Sequence, residues 1–128
     1  MRFLFDTHLL LWAAATPLRL PPRARDILDD AANDILFSAG SIWEIAIKNG
    51  LGRADFRVDP QLLHNGLIGA GYGELAIIGA HAMAVDRLPP IHKDPFDRLL
   101  VAQATVENIV LVTADPVVAQ YPGPINLV

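Results

Sequence analysis

The stretch that most constrains the fold runs from His92 to Ala104: His-Lys-Asp-Pro-Phe-Asp-Arg-Leu-Leu-Val-Ala-Gln-Ala. Asp94 suits a helix cap, Pro95 suits the first helical position, and Asp97 falls in the first turn. Beyond Arg98 the helix is almost wholly apolar, with Leu99, Leu100, Val101, Ala102 and Ala104. A helix apolar on nearly every side is buried on nearly every side. Two carboxylates therefore sit at the mouth of a helix whose body is fixed in the interior. The rest of the chain makes sense if other acids come to meet them.

Short apolar runs alternate with helical patterns along the chain. Phe3-Leu4-Phe5, Ile35-Leu36-Phe37, Leu75-Ala76-Ile77-Ile78 and Ile109-Val110-Leu111-Val112 read as buried strands, and Ile125-Asn126-Leu127 as a last edge strand. Helices are expected over 9–15, 20–33, 41–48, 60–70, 80–87 and from Asp94 onward, with a short one starting at Asp115-Pro116. Residues 52–59 read as loop. Strands alternating with helices predict an α/β fold: a central parallel sheet of four to five strands with helices on both faces. The 128 residues give one such three-layer domain over 1–128 and not two. Hydrophobic residues make up 52% of the chain, which suits a sheet buried on both faces.

Bulk chemistry excludes several classes. The formal net charge is −4 and there is no basic tail, so histone-like nucleic-acid binding is not expected. The absence of cysteine rules out disulfides and thiolate metal sites. The early apolar run Leu9–Ala15 is too short for a signal peptide or a membrane span. The expectation is a soluble, cytoplasmic protein with no membrane contact.

In open parallel sheets, ligands bind beyond the carboxyl ends of the strands, where the strand order reverses. Asp6 follows the first strand and Asp115 follows the strand 109–112. Glu44 is expected in the first turn of the helix after the second strand, and Asp97 in the first turn of its own helix. Asp6, Glu44, Asp97 and Asp115 would then ring one cleft, with Asp94 near by. Four carboxylates cannot share a small cleft fully ionised without a cation. Carboxylate oxygens suit hard ions, Mg2+ or Mn2+, and the chemistry that follows is phosphodiester hydrolysis. Each acid also has a plainer reading. Ser41-x-x-Glu44 matches a capping box, Asp94-x-x-Asp97 nearly does, and Asp often follows a strand in a turn. Coincidence at all four rim positions is what the metal site explains and the plain readings do not.

Other residues carry two readings each. Lys48 is either a helical ion-pair partner of Glu44 or a phosphate contact. Lys93 and Arg98 flank the acids and can hold RNA backbone, or Arg98 can pair with Asp94. Thr7 and Ser38 can orient ligands through their hydroxyls, or cap. His8 and His92 can shuttle protons or bind a metal, but read more readily as hydrogen-bonded rim residues. His64 and His81 sit in helices with nothing expected to converge on them. Trp12 and Trp43 read as core rather than base-stacking platforms, the alternative being that the apolar faces of helices 9–15 and 41–48 form a partner surface.

Four pieces, in this order, resemble a known family: Phe-Asp-Thr-His at 5–8, Ser-x-x-Ser-Ile-Trp-Glu-Ile-Ala-Ile-Lys at 38–48, the 92–104 stretch, and Leu-Val-Thr-Ala-Asp at 111–115. The chain resembles PIN-domain proteins, and specifically VapC-type toxin ribonucleases of type II toxin–antitoxin pairs. The resemblance covers nearly the whole chain. It implies catalytic and metal-binding acids at Asp6, Glu44, Asp97 and Asp115, with Thr113 supporting the last. It implies a Mg2+- or Mn2+-dependent endoribonuclease acting on RNA, and a homodimer. It further implies a cognate antitoxin that lays a helix over the acidic cleft and alone contacts DNA. Residues 53–59 and 60–72 match no pattern, and substrate choice could lie there. The competing class is a non-catalytic PIN-like module that only binds protein or RNA; the presence of all four acids argues against it. Phosphoryl transfer through an aspartyl-phosphate fits poorly. A receiver domain wants a late Lys after a strand, and the last Lys is Lys93. A haloacid-dehalogenase-type phosphatase wants Asp-x-Asp where this chain has Asp6-Thr7-His8.

Overall fold

A computed structural model describes residues 1–52 and 57–128. In chain order these form β1 (Arg2–Phe5), α1 (Thr7–Ala15), a 3-10 turn (Pro17–Arg19), α2 (Pro22–Asp29), β2 (Asp34–Ser38) and α3 (Ala39–Gly50). Then come α4 (Pro60–Gly69), β3 (Gly73–Leu75), α5 (Gly79–Val85), α6 (Pro95–Glu107), β4 (Val110–Thr113), a second 3-10 turn (Val118–Gln120) and β5 (Ile125–Leu127). Among the described residues the strands make one parallel sheet in the order β3-β2-β1-β4-β5.

The period of two along each central strand sorts the core. Phe3 and Phe5 of β1, Ile35 and Phe37 of β2, and Val112 of β4 pack with Leu9, Leu10, Ala24, Ile45, Leu63 and Leu67. Leu4 and Leu111 point the other way, onto Leu100, Val101, Ala104, Ile109, Val118 and Tyr121. Helices thus cover both faces, as near-continuous apolar strands require. In α6 every residue from Leu99 to Ala104 is buried, so the helix body is interior as its composition predicts. It ends at Asn108, whose left-handed backbone (φ 54°) returns its N–H to the carbonyls of Ala104 and Thr105 and turns the chain into β4.

Boundaries moved where side chains or neighbours intervened. The helix expected over 20–33 stops at Asp29, because Asp30 accepts from the Ala32 N–H and the Asn33 amide donates to the Ile27 carbonyl. The strand expected at 75–78 is 73–75 instead. Its partner β2 ends at Ser38, opposite Leu75, so the ladder has nothing beyond. Gly73 permits that pairing, since a Cβ there would lie 2.8 Å from Leu36 Cδ2. The helix expected from Ser41 starts at Ala39, with Ser38 Oγ accepting from the Gly40 N–H at 2.9 Å. Glu44 therefore lies in the second turn, and the capping-box reading for it fails. Instead of a helix from Asp115, the short 3-10 turn at 118–120 follows β4. Part of the 52–59 loop expectation, residues 53–56, lies outside the described residues. No described helix is long and apolar enough to cross a membrane.

Candidate metal centre

The strand order reverses at β1, which has β2 on one side and β4 on the other. Asp6 leaves β1 at its carboxyl end, its N–H held by the Val112 carbonyl at 3.1 Å. Its side chain is nearly closed off, at 5% exposure. Oδ1 caps α1 by accepting from the Leu9 N–H at 3.0 Å, and Oδ2 accepts from Thr113 Oγ1 at 2.5 Å. Burial raises its pKa; the Thr113 and Leu9 donors and His8 pull it back, and the Asp115 charge adds to the rise. Thr113 Oγ1 also accepts from the Asp115 N–H at 3.0 Å. One hydroxyl thus ties the acid after β1 to the loop carrying the acid after β4.

Thr113→Val keeps the shape and removes that donor. The buried Asp6 carboxylate is then short of a partner, and the metal-free protein should lose about 1–3 kcal/mol where Asp6 is ionised. Urea melts should show a smaller loss in acid, where Asp6 is protonated; an equal loss at both ends would mean that Thr113 acts only by packing.

Glu44 is buried on α3. Its Oε1 lies 2.8 Å from Thr7 Oγ1, which in turn is 2.9 Å from Ser41 Oγ. An ionised carboxylate can only accept, so Thr7 donates to Glu44 and Ser41 donates to Thr7. Glu44 Oε2 takes Lys48 Nζ at 2.6 Å, the helical ion pair. Ser38 is occupied by the α3 cap and by Gln103, whose Oε1 accepts from Ser38 Oγ at 2.5 Å.

Asp97 sits in the first turn of α6. Asp94 Oδ1 accepts from the N–H groups of Phe96 (2.8 Å) and Asp97 (3.2 Å), so Asp94 is the cap. The Asp97 carboxyl is pushed up to about 7. Burial is the main cause, the charges of Asp94, Glu44 and Asp6 add to it, and His92 opposes it. Charge from Glu44 and Asp6 thus reaches Asp97, and charge from Asp115 reaches Asp6. His92 reaches in as well, with Nε2 3.2 Å from Asp97 Oδ2 and 3.8 Å from Asp115 Oδ2. A cavity of about 200 Å3 lined by Asp6, His8, Trp12, Ala114 and Asp115 opens beside them.

Several sequence expectations need correcting. Arg98 faces neither RNA nor Asp94: its guanidinium donates to the carbonyls of Pro89 (3.0 Å) and Val85 (3.1 Å) and to Tyr121 Oη (3.1 Å). It serves the carboxyl end of α5, where free carbonyls attract a cation. Trp43 is not core; it is 57% exposed and meets the Phe96 ring edge-on at 5.1 Å. His81 is buried, bonded to the Ile78 N–H and to Glu107, and His64 pairs with Glu74. Lys93 is exposed beside the helix mouth. Ser41 was read only as a helix cap, and Gln103 and Tyr121 carry roles that no sequence reading named. Gln103 could have been found: a lone amide in an apolar helix needs a partner.

The donor set suits a hard divalent cation. It offers carboxylate oxygens, and ligand atoms of His92, Asp97 and Asp115 lie within 4.8 Å of one another. Asp6 and Asp97 are raised chiefly by burial, with neighbouring acids adding to it, and a bound cation would oppose both effects.

An open parallel sheet with carboxylates gathered across its switch point defines an α/β protein with an acidic, cation-type site. The chain belongs to the PIN domain family, whose model matches residues 3–124. Its fold is similar to that of solved VapBC structures. One is VapBC2 from Rickettsia felis bound to a DNA fragment from its promoter (TM-score 0.74, 15% identity, covering 100% of this chain and 99% of that one). Another is DNA-bound VapBC from Salmonella typhimurium (0.69, 16%, 98% and 97%). A third is VapBC-1 from nontypeable Haemophilus influenzae (0.59, 15%, 90% and 87%). No curated protein sequence matches the chain significantly.

Proposed function

We propose that this chain is a single PIN domain acting as a Mg2+- or Mn2+-dependent endoribonuclease of the VapC toxin type, restrained in the cytoplasm by a cognate antitoxin. The observation that carries the reading is geometric: carboxylate oxygens of Asp97 on α6 and Asp115 after β4 come within 4.8 Å of each other at the rim where Asp6 and Glu44 are buried. Membership of the PIN family and the likeness to VapBC complexes support it.

Asp6, Glu44, Asp97 and Asp115 would hold the ion. When bound, a divalent ion supplies Lewis acidity for phosphodiester hydrolysis and the positive charge the acids lack. The chain's own groups fix the acids. Thr113 and the Leu9 N–H keep Asp6 oriented, and Thr7, backed by Ser41, orients Glu44. Lys48 offsets one negative charge at the rim, and Lys93, exposed beside the helix mouth, would meet an RNA phosphate. Trp43, Ile47 and Leu51 form an exposed apolar stripe at four-residue spacing on and just beyond α3. That stripe suits a protein partner, either a second copy of the chain or the antitoxin's helix.

The test is cleavage of a panel of structured RNAs with Mg2+ or Mn2+, read on denaturing gels. Discrete fragments that vanish on adding EDTA are expected. RNA binding without cleavage under every metal condition would favour the non-catalytic module instead.

A further inference from the structure

We propose that Arg19, stacked on Trp12, binds a backbone phosphate of single-stranded RNA where the strand leaves the acidic cleft over α1. This rests on the reading of the chain as acting on RNA, and no part of it requires the ion. Arg19 Cζ lies 5.0 Å from the centre of the Trp12 ring. Trp12 in turn lines the cavity of about 200 Å3 that Asp6 and Asp115 share. One indole therefore links an exposed guanidinium to the acids. Trp12 packs against the core, so it is a firm support. Stacking occupies the flat face of a guanidinium, whereas its N–H groups point outward in the plane. Arg19 is thus held in place with its donors left for a bidentate phosphate.

Arg19 opens a run of three arginines with Arg23 and Arg25, in a stretch without an acid, although the formal net charge of the chain is −4. Arg23 donates to the Leu127 carbonyl (3.2 Å) and to the Asn126 side-chain oxygen (3.3 Å), and Arg25 donates to the Pro17 carbonyl (3.3 Å). These acceptors are neutral, so they fix the side chains and leave the charge. Among the described residues none of the three arginines forms an ion pair. The cations that flank the acids in sequence are placed differently. Glu44 neutralises Lys48, and Arg98 is turned onto the carbonyls of Val85 and Pro89. Lys93 is exposed at the mouth of α6, which packs on the opposite face of the sheet from α1. Arg19 and Lys93 thus put positive charge on both sides of a pocket of carboxylates, and this offsets the pocket's repulsion of a polyanion. RNA rather than an acidic protein segment is the occupant because the guanidinium adjoins the cleft whose carboxylates are read as acting on phosphodiesters.

The test is fluorescence anisotropy of a labelled oligouridylate of about ten nucleotides, titrated with protein in EDTA at several salt concentrations. Arg19→Gln should bind about tenfold more weakly. Its slope of log affinity against log salt should be shallower by about 0.7, the loss of one phosphate contact on a single strand. Arg19→Lys keeps the charge without the fork, so it should keep the slope and regain part of the affinity. Trp12→Phe also keeps the charge and weakens the stacking; it should lose about two- to fivefold with the slope unchanged. Arg2→Gln, at the amino end of β1 and so at the opposite edge of the sheet, should match wild type. In steady-state cleavage Arg19→Gln should raise KM and leave kcat unchanged. Equal affinity and slope in Arg19→Gln and wild type would overturn the proposal. So would an equal loss in Arg2→Gln, or a fall in kcat at unchanged KM. An oligoglutamate that binds wild type as tightly as the RNA, and less tightly in Arg19→Gln, would give the arginine to an acidic protein partner instead. If wild type binds no RNA, the RNA reading fails and the proposal with it. If wild type and Arg19→Gln bind RNA alike, the reading stands and the proposal falls alone.

Discussion

Asp97→Asn is expected to abolish RNA cleavage while leaving the metal-free protein at least as stable as wild type at neutral to basic pH. Two effects compete. An acid in the first turn of α6 gains about 0.3–1 kcal/mol from the helix dipole, and that gain is lost with the charge. Against it stand burial and the like charges of Asp94, Glu44 and Asp6, which together raise the carboxyl from 3.8 to about 7. At about 1.4 kcal/mol per unit the second effect is larger, and with 22% of the side chain exposed it is on the order of 2–4 kcal/mol. Asn removes the charge, keeps the size and relieves the repulsion. The pH dependence follows in sign. The folded carboxyl holds its proton to higher pH than the unfolded one. Stability from this group is therefore present in acid and lost as pH rises from about 4 through about 7. Wild type without metal should melt at progressively lower temperature across that window, and Asp97→Asn should show a shallower slope. Cleavage should fall by at least about 100-fold, the scale of removing one preorganised electrostatic group. Melts in EDTA across the pH range, paired with a cleavage assay, measure both halves. Surviving cleavage would reduce Asp97 to a helix-cap acid, and destabilisation above neutral pH would mean the carboxylate is favourably paired.

The sheet and α6 were legible because their evidence is redundant. Strand runs such as Val110–Val112 are apolar on both faces, and α6 is apolar on every side, so only an interior position satisfies either. The rim placement of Asp6 and Asp115 was legible for a different reason: both follow strands, and parallel strands end on one rim. What failed was α3. Its buried face carries Ser41 and Glu44 beside Ile45, while Trp43 and Ile47 point outward. A helix that lines an acidic cleft inverts the usual apolar-in pattern, so apolarity misplaced Trp43. Two serines, Ser38 and Ser41, each suit a cap; the choice depends on where β2 leaves the sheet, which local sequence does not state. Arg98 was misjudged by adjacency. One residue along a helix is about 100° around it, and that turn aims Arg98 at the end of α5 while Asp97 faces the cleft. The bond from the His92 N–H to Tyr121 Oη joins residues 29 apart, with no local pattern to announce it.

Mg2+ is expected to raise the melting temperature of wild type and not that of Asp6→Asn, with a shift that grows with pH. An ion that binds only the folded form stabilises it by RT ln(1 + [L]/Kd), about 2.7 kcal/mol at a hundredfold excess over Kd. For a chain of this length that corresponds to roughly 10 °C. The ion needs deprotonated carboxylates, so its binding competes with the proton that Asp97 keeps up to about 7. In acid the shift should therefore shrink, and above neutral pH it should be full. Metal-free stability runs the other way, falling as pH rises. The two melting curves should consequently diverge with pH in wild type and stay nearly parallel in Asp6→Asn. That divergence separates a site built from these acids from weak ion binding to the exposed carboxylates elsewhere on the chain. Binding to those would raise both proteins alike, because Asp6→Asn leaves them unchanged.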